Sequence, residues 1–316
     1  MEQGAGAGFR LGGNGVCHPP MTTSLLVPDA GPFGGESVTN PQELDPSTIA
    51  RMLASLRPDG APHLLFLRRA PAGIGSPPGT LLCLSASFNP MTAAHASLIR
   101  EASRIAPPQE VLLLLATANV DKTVAGLPLE DRLALLLRFA DSRPGVSVAA
   151  VGQGRFVDKM RAIHRSYPAG VRLIFLLGFD TLVRLFDPKY YTDRGASLSA
   201  LFGGSECVVG NRAPEPPEAV DAFLARPEVS PFAGRIRLVQ FPPGLAALSA
   251  TLVRARLARG EPITDLVPPE LGEPLEAWAK GKGGAGRARN PQRTEPLDQR
   301  GRTARKRRQP WQARTS

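Results

Sequence analysis

Two short segments hold the side chains best suited to handling phosphate. The first is Ala86-Ser-Phe-Asn-Pro-Met-Thr-Ala-Ala-His95. It follows a continuous apolar run and leads into residues with helical periodicity, so it belongs at a helix N-terminus. There, unpaired N–H groups and the positive end of the helix dipole favour an anion. Thr92 and His95 are three apart and share one helix face. An imidazole in that place can donate a hydrogen bond to a phosphate oxygen. Small residues at Ala86, Ser87, Ala93 and Ala94 let a ligand approach the backbone. The second segment is Leu248-Ser-Ala-Thr-Leu-Val-Arg254. Ser249 and Thr251 stand where a helix should begin, and Arg254 lies three residues past Thr251. Hydroxyls, first-turn N–H groups and a guanidinium on one surface make a polyphosphate site. Each segment also has a plain reading: an Asn-Pro turn with a capping His95, and a Ser or Thr N-cap beside a solvated Arg254.

The elements around these segments alternate. Thr80–Leu84, Val111–Ala116, Val146–Val151, Val171–Leu177, Cys207–Gly210 and Ile236–Phe241 are apolar runs that suit strands buried on both faces. Helical patterns lie between them: Ala96–Ile105, Leu129–Asp141, Phe156–Tyr167, Leu182–Phe186 and Ser249–Arg259, the last closed by Gly260. An earlier short helix, capped by Asp45 or Ser47, precedes a strand at His63–Leu67. This order predicts an α/β fold, a parallel sheet with helices on both faces. Ligands of such sheets bind beyond the carboxyl ends of the strands. That places Ser85–His95, Thr117–Thr123 and Gly178–Asp180 at the ligand edge.

Composition sets the boundaries. Residues 1–45 are rich in Gly, Pro, Ser and Thr without periodicity and are predicted to be a disordered arm. Residues 46–280 form the domain, and 281–316 a basic disordered tail. The tail holds eleven Lys/Arg and two Asp/Glu, so nine of the ten net positive charges sit there. The basicity therefore belongs to an arm, and a nucleic-acid partner is not the expectation; Arg305-Lys-Arg-Arg308 could also serve as an import signal. Three dispersed cysteines, Cys17, Cys83 and Cys207, fit a reducing compartment, cytoplasm or nucleus. No apolar run approaches the ~20 residues of a membrane span, and no secretory signal opens the chain.

Taken together, the two segments resemble the nicotinamide/nicotinate mononucleotide adenylyltransferases, within the nucleotidyltransferase superfamily whose signature is (His/Thr)-x-Gly-His. Ser87–His95 resembles that family's Ser-Phe-Asn-Pro-x-(Thr/His)-x-x-His, and Leu248–Arg254 its Ile-Ser-(Ser/Ala)-Thr-x-x-Arg. Gly178-Phe-Asp180 with Phe186 matches Gly-x-Asp-x-x-x-x-x-Phe. The segment Phe186-Asp-Pro-Lys-Tyr-Tyr191 is similar to the divergent fungal-type branch. Alanine stands at 86 and 94 where the family usually has glycine; a methyl at either place could narrow the nucleotide site, and Ala94 is tolerable because relatives with a bulkier residue before the His exist.

The resemblance implies a Rossmann-like fold and attack by a mononucleotide 5′-phosphate on the α-phosphorus of ATP. It implies that His95, supported by Thr92, contacts the α-phosphate, in a pocket whose backbone is Ala86, Ser87 and Phe88. Backbone N–H groups of Thr251, Leu252 and Val253, with Ser249 and Arg254, would hold pyrophosphate. Gly178 and Asp180 would meet a ribose or the adenine, Lys122 the mononucleotide phosphate and Tyr191 the pyridine. Asn211 and Arg212 would meet the dinucleotide. Mg²⁺ would ride on ATP. Against these roles stand plainer ones: Asp180 as an N-cap, Lys122 as a solvated lysine, Tyr191 as packing and Glu130–Arg132 as a helix cap, with Arg132 turned to phosphate as the alternative. Open alternatives are another small phosphate acceptor, or a member that binds nucleotide without turnover. A homo-oligomer is compatible with all of them.

Overall fold

The computed structural model describes residues 44–76, 79–118, 126–211, 217–242, 244–245 and 247–284. The apolar runs form one seven-stranded sheet: β1 Leu64–Arg68, β2 Thr80–Ser85, β3 Glu110–Ala116, β4 Val146–Val151, β5 Arg172–Gly178, β6 Glu206–Asn211 and β7 Ile236–Gln240. Their order is β1-β4-β3-β2-β5-β6-β7. From β2 the chain steps one way to β3 and β4; from β5 it steps the other way to β6 and β7. The order therefore reverses between β2 and β5, which opens a crevice beyond their carboxyl ends.

Strands β2 to β7 are parallel. The strand expected at His63–Leu67 is present as β1, but it runs antiparallel to β4 at the sheet edge, with a register shift between Phe66 and Arg68. Side-chain periodicity encodes which face is buried, not the direction of a strand, so this departure has no mark in the sequence.

The helices are α1 Pro46–Leu53, α2 Ala93–Ile105, α3 Leu129–Ala140, α4 Phe156–Ser166, α5 Phe179–Leu185, α6 Arg194–Gly204, α7 Pro217–Leu224, α8 Ala250–Arg259 and α9 Pro269–Gly284. Alternation along β2 divides them. Leu82 and Leu84 join a cluster with α2, α3, α8 and α9 on one face. Leu81 and Cys83 join a cluster with α4, α5, α6 and α7 on the other. Both faces of the sheet are thus covered, as the continuous apolar runs require.

Local signals fix the helix ends. The Asp45 carboxylate accepts the N–H groups of Ser47 and Thr48 at 2.7 and 3.0 Å and caps α1. The Ser47 hydroxyl, with these two N–H groups, holds its pKa down to about 2. Gly260, at φ 68°, closes α8 in the left-handed conformation. Helices α6, α7 and α9 were not marked by the sequence pattern. α9 contains Gly272 and Pro274, which are poor helix residues. Packing holds it instead: Leu271 and Leu275 are buried, and Trp278 Nε1 donates to Asp131 at 2.9 Å. α9 also runs to Gly284, past the expected start of the tail at 281. The remainder of the tail and residues 1–43 lie outside the described residues.

Candidate active site

The loop from β2 to α2 is built with little freedom. Phe88 sits at φ 43°, a left-handed conformation that costs a bulky residue on the order of 1–2 kcal/mol. The Asn89–Pro90 peptide is cis. Phe88, Asn89, Met91 and Thr92 are all buried, whereas Ser87 is exposed at the tip. Asn89 Oδ1 accepts the Leu127 N–H at 2.9 Å. The Ala93 N–H donates to Leu266 O at 2.9 Å, tying the start of α2 to the segment after α8.

Thr92 is the N-cap of α2, and His95 lies in the first turn. His95 Nδ1 accepts the Thr92 backbone N–H at 3.0 Å, and the Thr92 hydroxyl lies 2.8 Å from the same nitrogen. A backbone N–H can only donate, so Nδ1 is unprotonated and the ring hydrogen sits on Nε2. The ring also packs against Phe88 at 5.6 Å between centroids. Thr92 and His95 therefore form one unit: the threonine sets the tautomer and the plane, and the histidine presents an N–H donor.

Arg254 arrives from α8, 165 residues away. Its Nη1 donates to Asn89 O at 2.6 Å and its Nη2 to Thr251 Oγ1 at 3.1 Å. The guanidinium near the end of the domain thus grips the loop that ends in His95. Arg132 grips the same loop from α3: Nε donates to Leu127 O at 2.7 Å and Nη1 to Ser87 O at 3.4 Å. Burial pushes the Arg132 pKa down, and the nearby Arg254 charge adds to that, against a smaller opposing effect of Glu130. Arg132, expected as part of a helix cap or turned to phosphate, is a buried clamp on two carbonyls. The N-cap of α3 is Pro128, and Asp131 is turned to Trp278.

Ser249 caps α8 by accepting the Leu252 N–H at 3.2 Å, and the Val253 N–H donates to Ser249 O. The Val253 side chain is fully buried. The expectation that the N–H groups of Leu252 and Val253 face a ligand is therefore corrected: both are engaged within the helix start. The donors that a first turn leaves unpaired belong to Ala250 and Thr251.

Gly178 ends β5 and is the N-cap of α5; a Cβ built on it meets no atom within 4 Å, so the strand end faces open space. Asp180 is exposed in the first turn of α5 rather than at its N-cap, which corrects the capping alternative. Tyr191 is half-buried and donates its hydroxyl to Leu185 O at 2.6 Å. Burial pushes its pKa up to about 12, against the Arg155 and Arg194 charges. Asn211 is the last residue of β6. Lys122 and Arg212 lie outside the described residues. Ala94 is buried on the α2 face that also carries Leu98 and Ala102, and Ala86 is half-buried and packs against the cluster those two belong to. Among the described residues, no group of three or more His, Cys, Asp or Glu could hold a metal ion.

A family profile described as cytidylyltransferase-like matches residues 84–256, more than half of the chain. The chain is similar to a Schizosaccharomyces pombe protein provisionally named nicotinamide mononucleotide adenylyltransferase, 35% identical over 134 residues. The match covers 41% of this chain and 52% of that protein, so the chain spans about half the length of that relative. A Bordetella petrii protein, provisionally named nicotinate-nucleotide adenylyltransferase, is 29% identical over 190 residues, 58% of this chain and 90% of its own. A solved structure of Plasmodium falciparum nicotinic acid mononucleotide adenylyltransferase complexed with NaAD aligns over 65% of this chain and 97% of its own, at 13% identity and a TM-score of 0.48.

Proposed function

The chain belongs to the cytidylyltransferase-like family, and we propose that it transfers the adenylyl group of ATP to nicotinamide or nicotinate mononucleotide, releasing pyrophosphate. The observation that carries this reading is the Asn89 loop, gripped by Arg254 while Thr92 and His95 stand at its end. The names of the two relatives point to the same acceptors.

The acceptor's 5′-phosphate is already an anion near neutral pH, so the reaction needs positioning and charge stabilisation rather than a strong base. A phosphate oxygen of the acceptor bonds to the α-phosphorus as the bond to the β-phosphate's bridging oxygen breaks. His95 donates from Nε2 to an α-phosphate oxygen, where negative charge grows. Ala250 and Thr251 N–H groups and the remaining donors of Arg254 hold the departing pyrophosphate. Gly178 and Asp180 face the ribose or adenine. Tyr191 is assigned to the pyridine, Lys122 to the mononucleotide phosphate, and Asn211 and Arg212 to the dinucleotide. Mg²⁺ enters as part of the substrate, on the ATP phosphates; the groups gathered at the loop are donors and offer it no carboxylate cage. We assign this chemistry to residues 46–280. The free, buried thiols of Cys83 and Cys207 support a reducing compartment, cytoplasm or nucleus.

The test is formation of NAD or its deamido form from ATP, Mg²⁺ and each mononucleotide. His95→Ala is expected to lower turnover on the order of 10²–10³-fold with an unchanged circular-dichroism spectrum. A His95→Ala protein that keeps near-normal turnover removes His95 from the site.

A further inference from the structure

Lys159 is a buried cation that the proposed chemistry does not use. It lies on α4 and is 6% exposed. Side chains on a helix lean toward its N-terminus, and α4 begins just beyond the carboxyl end of β4. The Lys159 ammonium is accordingly carried toward the ligand edge, 4.5 Å from the centre of the Phe156 ring. Behind it stands the Cys83 thiol of β2, and burial holds the lysine pKa down to about 8. Among the described residues no carboxylate pairs with it. Asp158, one position earlier, is spent on Arg155 at 2.9 Å and Arg161 at 3.3 Å. An ammonium buried without a counter-ion is costly, and a ligand that supplies the missing negative charge offsets that cost.

The surroundings limit what that ligand is. Phe156 is half-buried and meets Phe175 edge-on at 5.2 Å. Tyr191 is close enough to Arg155 and Arg194 to feel both charges. Phe156, Phe175 and Tyr191 all pack in the cluster on the sheet face opposite α2 and α8, with Arg155 and Arg194 near the tyrosine. If the triphosphate lies at Arg254 and His95, an acceptor reaching the α-phosphorus across the β2–β5 rim leaves its ring on the α4 face.

The geometry points to Lys159 as the residue that selects an acceptor whose ring bears a carboxylate, nicotinate mononucleotide, over the amide, nicotinamide mononucleotide. The assignment rests on the adenylyl-transfer reading. A carboxylate accepts a charged hydrogen bond from the ammonium and neutralises it; a carboxamide offers only a neutral oxygen.

The experiment measures kcat/KM for both acceptors in the full-length protein and in Lys159→Met, at pH 7 and saturating MgATP. Methionine keeps the length of the stem and removes the buried charge, so the variant is expected to fold, with a thermal midpoint at or above that of the parent. The nicotinate-to-nicotinamide ratio is expected to fall about tenfold or more, whatever common effect the substitution has on turnover. A ratio that stays the same, with both acceptors altered alike, assigns Lys159 a structural role and overturns the inference alone. A parent protein that turns over neither acceptor overturns the adenylyl-transfer reading and this inference with it.

Discussion

Arg254 has two tasks, and they can be separated. Two of its nitrogens are bonded to Asn89 O and Thr251 Oγ1, which fixes the fork; the other donors of the guanidinium point elsewhere. Arg132 stands near enough to repel it. An arriving phosphate relieves that repulsion, so the pair is arranged for an anion as well as for holding the loop. Arg254→Ala removes both the clamp and the charge. Arg254→Lys keeps the charge but loses the planar fork that reaches Asn89 O and Thr251 Oγ1 together. Steady-state kinetics over a range of ATP concentrations should show KM for ATP raised about tenfold or more in Arg254→Ala, with Arg254→Lys in between. Thermal melting should show both variants less stable than the parent, because neither holds Asn89 O and Thr251 Oγ1 together. Unchanged ATP dependence in Arg254→Ala would exclude Arg254 from phosphate binding and leave it a loop clamp.

At the scale of elements, the site depends on a junction of two loops with α8. Gly126 has φ 132°, and a Cβ there would fall 2.5 Å from Asn89 Oδ1 and 2.9 Å from Arg254 Cδ. Gly126→Ala should therefore push the Asn89 loop and α8 apart. Expected are a loss of stability of roughly 1–3 kcal/mol and a drop in turnover, although residue 126 carries no functional group. Urea unfolding alongside turnover tests it; an alanine variant with parental stability and rate would show that the junction yields without cost. Such dependence explains what the sequence could and could not disclose. The six parallel strands were legible because each is a continuous apolar run, and α2, α3, α4 and α8 because their apolar residues recur at helical spacing. Thr92, His95 and Arg254 were legible as residue types placed at helix starts. The Arg132 clamp was not, since its partners are the carbonyls of Ser87 and Leu127, and a carbonyl has no residue identity. α6 and α9 were hidden by glycine and proline that only tertiary packing overrides. The direction of β1 had no local signal at all.

Over the whole molecule, charge is unevenly placed. Nine of the ten net charges lie in residues 281–316, so the remainder is close to neutral. Its dependence on pH is then governed by particular buried groups rather than by general repulsion. Lys159 is the clearest of them, with a folded pKa of about 8 against an ordinary 10.5. Below pH 8 the lysine is protonated in both states, and the folded state bears the full cost of the buried charge. Between pH 8 and 10.5 the unfolded chain binds more protons than the folded one, so this group makes stability rise with pH. Cys83, Cys207 and Tyr167 act in the opposite sense, because burial raises their pKa values and the unfolded chain releases those protons first. The raw stability curve mixes the two trends. Subtracting the curve of Lys159→Met from that of the parent cancels Cys207 and Tyr167 and leaves the lysine together with its smaller coupling to the Cys83 thiol. At pH 7 the methionine variant should be more stable by up to roughly 3 kcal/mol. That gap should hold up to about pH 8 and then close toward pH 10.5. Urea unfolding at pH 7, 8, 9 and 10 measures it; a gap that stays constant across the series would mean that the Lys159 ammonium reaches water and does not bear the burial cost assigned to it.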